Sequence, residues 1–185
     1  MQAGQRREQL LDATKAIVAG RGFHAVSIEA VAREAGITRP IVYGHFHDLS
    51  GLLEALVERE TARALSQLAL PDDLTGDPRE ALLASLRTYL EAVRDDPATW
   101  RLVLMPPEGA PAILHDLIAE GRAAVLEQLA RAIGPGLESP DPELFAHTLS
   151  AISDEGARLL LTDPDRYPVE RIVAFAAWLM QELAP

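Results

Sequence analysis

The chain has 185 residues, 48 % of them apolar and 5 % aromatic, with no cysteine and a net charge of −11. That length holds one or two small domains with a real core, and the missing cysteine excludes disulfides and thiolate metal sites, which suits a reducing cytoplasm. The charge is uneven: residues 1–47 carry six basic residues (Arg6, Arg7, Lys15, Arg21, Arg33, Arg39) against four acids, net +2, while residues 48–185 hold 11 basic and 24 acidic residues, net −13.

The opening MQAGQRREQLLDATKAIVAG spreads its charges and lacks an apolar run ending at a small-residue cleavage site, so no signal peptide is expected. No run approaches the roughly 18 apolar residues of a membrane span. Leu10, Leu11, Ala13, Thr14, Ile17 and Val18 form an apolar stripe that predicts a first helix over 5–19, stopped by the GRGF stretch. Ser27 is placed to cap a second helix whose Ile28, Val31, Ala32 and Ala35 turn inward, with Glu29 in the first turn favouring the helix dipole. Gly36 ends that helix, Ile37 plugs the corner, and Thr38 caps a short third helix over 39–46 that carries Pro40 in its first turn. Further helices are predicted over 49–68, 79–94, 98–105, 110–133, 142–161 and 169–183, separated by PDDLTGDP (71–78), DDP, PPEGAP, GPGLESPDP and TDPDRYP. The expected fold is all-α, about nine helices, with a three-helix N-terminal domain at 1–47 and a larger helical domain at 48–185 joined through the fourth helix.

The segment from Ser27 to His47, SIEAVAREAGITRPIVYGHFH, has the layout of a helix-turn-helix whose third helix reads a major groove. Ile41, Val42 and Phe46 offer an apolar face to seat that helix, leaving Thr38, Arg39, Pro40 and Gly44 for the groove and Tyr43 and His45 at its edges. Arg39 suits bidentate donation to guanine, while Ser27, Tyr43 and His45 suit phosphates, which fix register without carrying sequence information. Tyr43 equally suits a half-buried core aromatic. Arg21 and Arg33 read as solvated surface, and the spacing of His24, His45 and His47 gives no helical metal pair, so no metal or cofactor is expected.

The first 60 residues resemble the N-terminal domain of the TetR family of bacterial transcriptional regulators. The resemblance rests on LLDATKAIVAGRGFHAVSI followed by EAVAREAGITRPIVYGHFHDLSGLLEAL: Gly22 and Phe23 match a Gly-aromatic pair, Ala32, Ala35 and Gly36 a turn, and Tyr43, His45, Phe46 and Leu52 a YxHF…L signature. It implies a DNA-binding regulator, with Ser27, Thr38, Arg39, Pro40, Tyr43 and His45 at the positions of DNA-contacting residues. Leu49 stands where the family usually has a phosphate-reaching Lys, and Asp48 beside it suits a helix cap.

The resemblance further implies that the larger domain dimerises and encloses an effector pocket. Leu149, Ile152, Gly156 and Leu160 on one helix and Ile172, Val173, Ala176, Leu179 and Met180 on the next suit a dimer face, although a protomer core would show the same pattern. Tyr89, Trp100, Met105, Leu117, His147 and Arg158 are the pocket candidates, because they bring aromatic, thioether or polar groups into aliphatic surroundings. Arg158 also lies within reach of Asp154 and Glu155 for a surface ion pair. The expected function is a homodimeric repressor released from a palindromic operator by a small molecule. A helical protein-interaction module without sequence-specific DNA binding is the alternative. An enzyme finds no support: no convergent nucleophile and base, phosphate loop or paired carboxylates are visible.

Overall fold

A computed structural model describes residues 3–68, 77–136 and 139–182, and within them the chain is helical without strands. Helices α1 (Ala3–Arg21), α2 (Ile28–Glu34) and α3 (Arg39–His45) form the N-terminal unit, with a single 3-10 turn at Phe23–Ala25. Helix α4 (Leu49–Ser66) leads from it to α5 (Pro78–Asp95), α6 (Pro97–Leu104), α7 (Ala112–Gly136), α8 (Pro142–Thr162) and α9 (Val169–Glu182). The expected linker at 71–78 lies, apart from its last two residues, outside the described residues.

The local chemistry of the helix ends explains these limits. Ser27 Oγ accepts from Ala30 N at 3.1 Å, and Asp48 Oδ1 accepts from Gly51 N at 2.8 Å. Three Asp-Pro pairs within the predicted breaks are helix starts: Asp77, Asp96 and Asp141 each accept a first-turn N–H, and Pro78, Pro97 and Pro142 supply a preset φ where no N–H is needed. Helix α2 ends on Gly36 at φ 65°, and Ile37 N donates back to Ala32 O at 2.9 Å. That left-handed residue with its long return bond is a Schellman close, which glycine adopts without strain. Thr38 occupies the cap position of α3, but its side chain makes no cap bond, contrary to the sequence expectation.

Three apolar clusters form the interior. The first joins Leu10, Leu11 and Ile17 of α1 to Val31, Val42, Leu52 and Leu56, and continues into Leu102 of α6 and Leu114 of α7. The second packs Tyr89, Leu90, Trp100, Leu160, Leu161 and Val173 from α5, α6, α8 and α9. The third gathers Leu82, Leu129, Ile133 and Ala146 from α5, α7 and α8. Each fully buried Leu or Ile contributes about 1.5–3 kcal/mol by leaving water. The N-terminal unit is thus docked onto α6 and α7 by its own core, not merely tethered through α4.

Candidate nucleic-acid interface and effector cavity

Helix α3 sits on the protein through Val42 and Phe46, both buried, with the Arg7 guanidinium 5.1 Å from the Phe46 ring centre. Ile41, expected on that inward face, is instead 40 % exposed. A seven-residue helix has room for one inward row, and Val42 with Phe46 at i+4 fills it. Thr38, Arg39, Pro40, Tyr43 and Gly44 are exposed and His45 is half-buried. Tyr43 is 55 % exposed, so it is not a core aromatic. Ser27 is half-buried, and because its oxygen only accepts in the α2 cap, its hydroxyl proton stays available to a phosphate.

Arg39 Nη1 lies 2.6 Å from Glu29 Oε1, and both side chains are largely exposed. The hydrogen bond from Arg39 holds the Glu29 carboxyl below the usual carboxylate range. The arginine best suited to guanine is therefore already oriented by an acid on α2. Leu49 is half-buried and packs against the first cluster, so the missing cation is replaced by apolar contact. Among the described residues no group of three or more His, Cys, Asp or Glu could hold a metal.

A cavity of about 440 Å³ opens inside the larger domain, walled by segments of α4 to α9. Its volume lies in the range of small-molecule sites and its lining is mostly aliphatic and aromatic. One corner is polar: Tyr89 donates to Asp154 Oδ1 at 3.1 Å, and Arg122 donates to Asp154 Oδ2 at 2.6 Å. Burial, and then the Asp154 charge, pushes the Tyr89 phenol well up, so it stays a neutral donor. Trp100 meets Tyr89 edge to face at 5.1 Å and donates its Nε1 proton to Gln67 at 2.9 Å.

Of the six pocket candidates, Tyr89, Trp100 and Leu117 line this cavity. The other three candidates do not. Met105 follows the end of α6 and borders a separate cleft of about 170 Å³ between α1 and α6. His147 is exposed on α8, two residues out of phase with Phe145 and Leu149, which face the cavity. Arg158 donates through Nε to the Leu104 carbonyl at 3.2 Å, serving the C-terminal end of α6, with Glu155 3.5 Å from its Nη1. Of its two expected partners Glu155 is the one that meets it, while Asp154 is taken by Arg122, which sequence reasoning missed altogether. The signal was an arginine beside Gly121 on an otherwise apolar helical phase.

The dimer candidates also divide. Leu160, Val173 and Ala176 are buried in the protomer, and a Cβ at Gly156 would meet Ile172 Cγ2 at 3.0 Å, so that glycine lets α8 and α9 of one chain approach. Leu149, Leu179 and Met180 line the cavity. Ile152 of the expected face also borders the cavity and is 46 % exposed, while Leu144, Phe175 at 59 % and Trp178 at 51 % are exposed outside the expected set. The Phe175 and Trp178 rings pack at 5.5 Å. The inward stripe is the more regular of the two on these helices, which is why the pattern pointed to it.

Residues 10–56 match the model for bacterial regulatory proteins of the tetR family. The chain is 28 % identical over 178 residues to the HTH-type transcriptional activator FasR of Mycolicibacterium smegmatis, covering 90 % of this chain and 76 % of that protein. An uncharacterized HTH-type transcriptional regulator of Mycobacterium tuberculosis is 31 % identical over 137 residues, 73 % of this chain and 64 % of its own length. In fold, the chain resembles a TetR-like transcriptional regulator from Rhodococcus sp. RHA1 at TM-score 0.78 and 24 % identity, with both chains covered completely. It also resembles SmeT in complex with triclosan at TM-score 0.76 and 24 % identity, covering 96 % of this chain and 90 % of that one. A helix-turn-helix exposing Arg39 and Tyr43, carried on an all-helical body, defines a DNA-binding transcriptional regulator. Residues 10–56 match the TetR family, and the whole chain shares the fold of a TetR-like regulator.

Proposed function

We propose that this regulator is a homodimeric, ligand-responsive repressor that leaves a palindromic operator when a small, mainly apolar molecule occupies the cavity. In this reading residues 1–47 read DNA and residues 48–185 bind effector and partner, in the cytoplasm. Arg39 and Pro40 face bases, with Thr38 at the edge of the groove, while Ser27, Tyr43 and His45 hold phosphates. Two copies meeting through Ile152, Phe175 and Trp178 bring two such helices to major grooves about 34–36 Å apart. SmeT, which has this fold, is named as the repressor of a multidrug efflux pump and as a triclosan complex.

One observation carries the ligand response. Leu117 and Ile118 of α7 line the cavity and also pack against the core of the DNA-reading unit. An occupant that displaces them alters the seat of that unit directly. The effector must bind the two arrangements unequally, since equal binding shifts nothing.

Gel-shift titration against DNA upstream of the gene, and against a random pool, tests the DNA half. Arg39→Ala should relax discrimination by the equivalent of about 1–3 kcal/mol, whereas Tyr43→Phe should weaken all sequences alike. Absence of any sequence-selective binding at moderate salt would defeat this reading. Thermal-shift screening of apolar compounds, triclosan among them, tests the cavity. Hits should raise Tm and weaken operator binding, and Tyr89→Phe should reduce the shift for ligands bearing a polar group.

A further inference from the structure

Glu60 is fully buried on α4, yet it is charged and surrounded. Lys15 Nζ of α1 lies 2.8 Å from its Oε2, Arg59 Nε donates to its Oε1 at 2.8 Å, and the Thr99 hydroxyl of α6 donates a short hydrogen bond to its Oε2. Lys15 also donates to Asp96 Oδ1 at 3.0 Å and to Thr99 Oγ1 at 2.6 Å, while Arg63 pairs with Asp96 at 3.0 Å. Arg59 reaches back to Glu8 and Asp12 of α1, each at 2.9 Å. One connected network therefore ties α1, α4 and the start of α6. Burial pushes the Glu60 and Asp96 carboxyls up, but bonds from Lys15 and Thr99 outweigh it and hold both below their ordinary values.

Two neighbours in sequence give this cluster its reach. Thr61 and Trp100, immediately after Glu60 and Thr99, line the effector cavity. The same two helices thus hold an occupant with one residue and the DNA-reading unit with the preceding one. Beside the network, α1 and α6 are separated by the cleft of about 170 Å³, bounded by Val18, Leu56 and Leu102. The cleft interrupts the apolar packing of α1 on α6 beside Leu102, so directed polar bonds fix their relation across that gap.

We propose that Lys15, Glu60 and Thr99 form a polar clamp that carries cavity occupancy to the recognition helix, coupling the two sites without setting operator affinity while the cavity is empty. With the clamp intact, any shift of α4 against α6 drags α1 along, because breaking charge-assisted bonds in a buried site is costly. Without it, the apolar margins of the cleft slip, and the cavity can fill without turning α1. The inference rests on the ligand-responsive reading above. Its competitor is transmission through Leu117 and Ile118 alone.

The test needs no identified effector. Ser153→Trp on α8 and Gly121→Leu on α7 each place bulk in the cavity wall and stand in for an occupant. Operator affinity is measured for each stand-in in the wild-type chain and in Lys15→Met, with Thr99→Val as a second, nearly isosteric clamp variant and Tm confirming folding throughout. The expected result is that a stand-in weakens operator binding at least tenfold in the wild-type chain and less than threefold in either clamp variant, with the clamp variants alone within threefold of wild type. An equal loss in both backgrounds overturns the clamp and leaves the ligand-responsive reading standing with α7 as its route. No loss in the wild-type background overturns both.

Discussion

Arg39 is held by Glu29 before any DNA arrives, and this makes Glu29 a residue of consequence. Solvent and salt screen an exposed pair of this kind, so DNA can displace it. Its carboxylate, however, faces whatever Arg39 faces. Glu29→Ala should raise affinity for non-operator DNA several-fold and narrow the gap between operator and random sequence, measured by competition gel shift. Leu49→Lys should restore a phosphate contact and steepen the logarithmic salt dependence by about 0.9, at some loss of stability, since Leu49 packs against the first core. Glu60 and Asp96 predict a pH effect with a definite sign. Both carboxyls are depressed in the folded protein, so their contribution is full above the unfolded-state values of about 4 and disappears as pH falls through the lower folded values. Thermal melts across acid pH should therefore show Tm falling below about pH 4, with the acid limb moved to higher pH in Lys15→Met. A Tm that stays flat down to pH 2 would contradict the network.

Among elements, the helices themselves were plain in the sequence because their caps are local. Ser27, Gly36 and Asp48 act on neighbours one to five residues away, and a reader of the chain sees them directly. The Asp-Pro pairs were seen as interruptions; their second role, as starts, follows from the same chemistry read in the other direction. Asp141→Ala should cost about 1 kcal/mol through the α8 cap, and Gly36→Ala about 1–2 kcal/mol, because a Cβ is disfavoured at φ 65°. Denaturant melts at neutral pH report both. What the sequence hid was which way a helix faces. On α8 and α9 the inner stripe of Leu160, Val173 and Ala176 and the outer residues Leu144, Phe175 and Trp178 are both apolar, and helical period alone does not say which meets solvent. Arg158 was half legible for a related reason: its sequence neighbour Glu155 meets it, but its bond to the end of α6, 54 residues away, has no local signal.

For the whole molecule, the outer apolar face and the interior cavity belong to the same pair of helices. Phe175→Glu with Trp178→Glu should leave the helical spectrum intact, yield a monomer by sedimentation, and lower operator affinity far more than the same charge change elsewhere. The DNA-reading motif was recognisable because groove recognition confines a few residue types to a few positions. The cavity was only half legible, since its polar corner joins Tyr89, Asp154 and Arg122 from three helices that no local pattern connects. Leu117 and Ile118 carry a consequence for anyone adapting this chain as a sensor. Under the proposed ligand response, redesign of that wall trades against the seat of the DNA reader, so libraries aimed there should return many silent or permanently open switches. The wall at Ser85 and Met180 is not part of the reader's core and, under the proposed ligand response, is where new specificities are best sought.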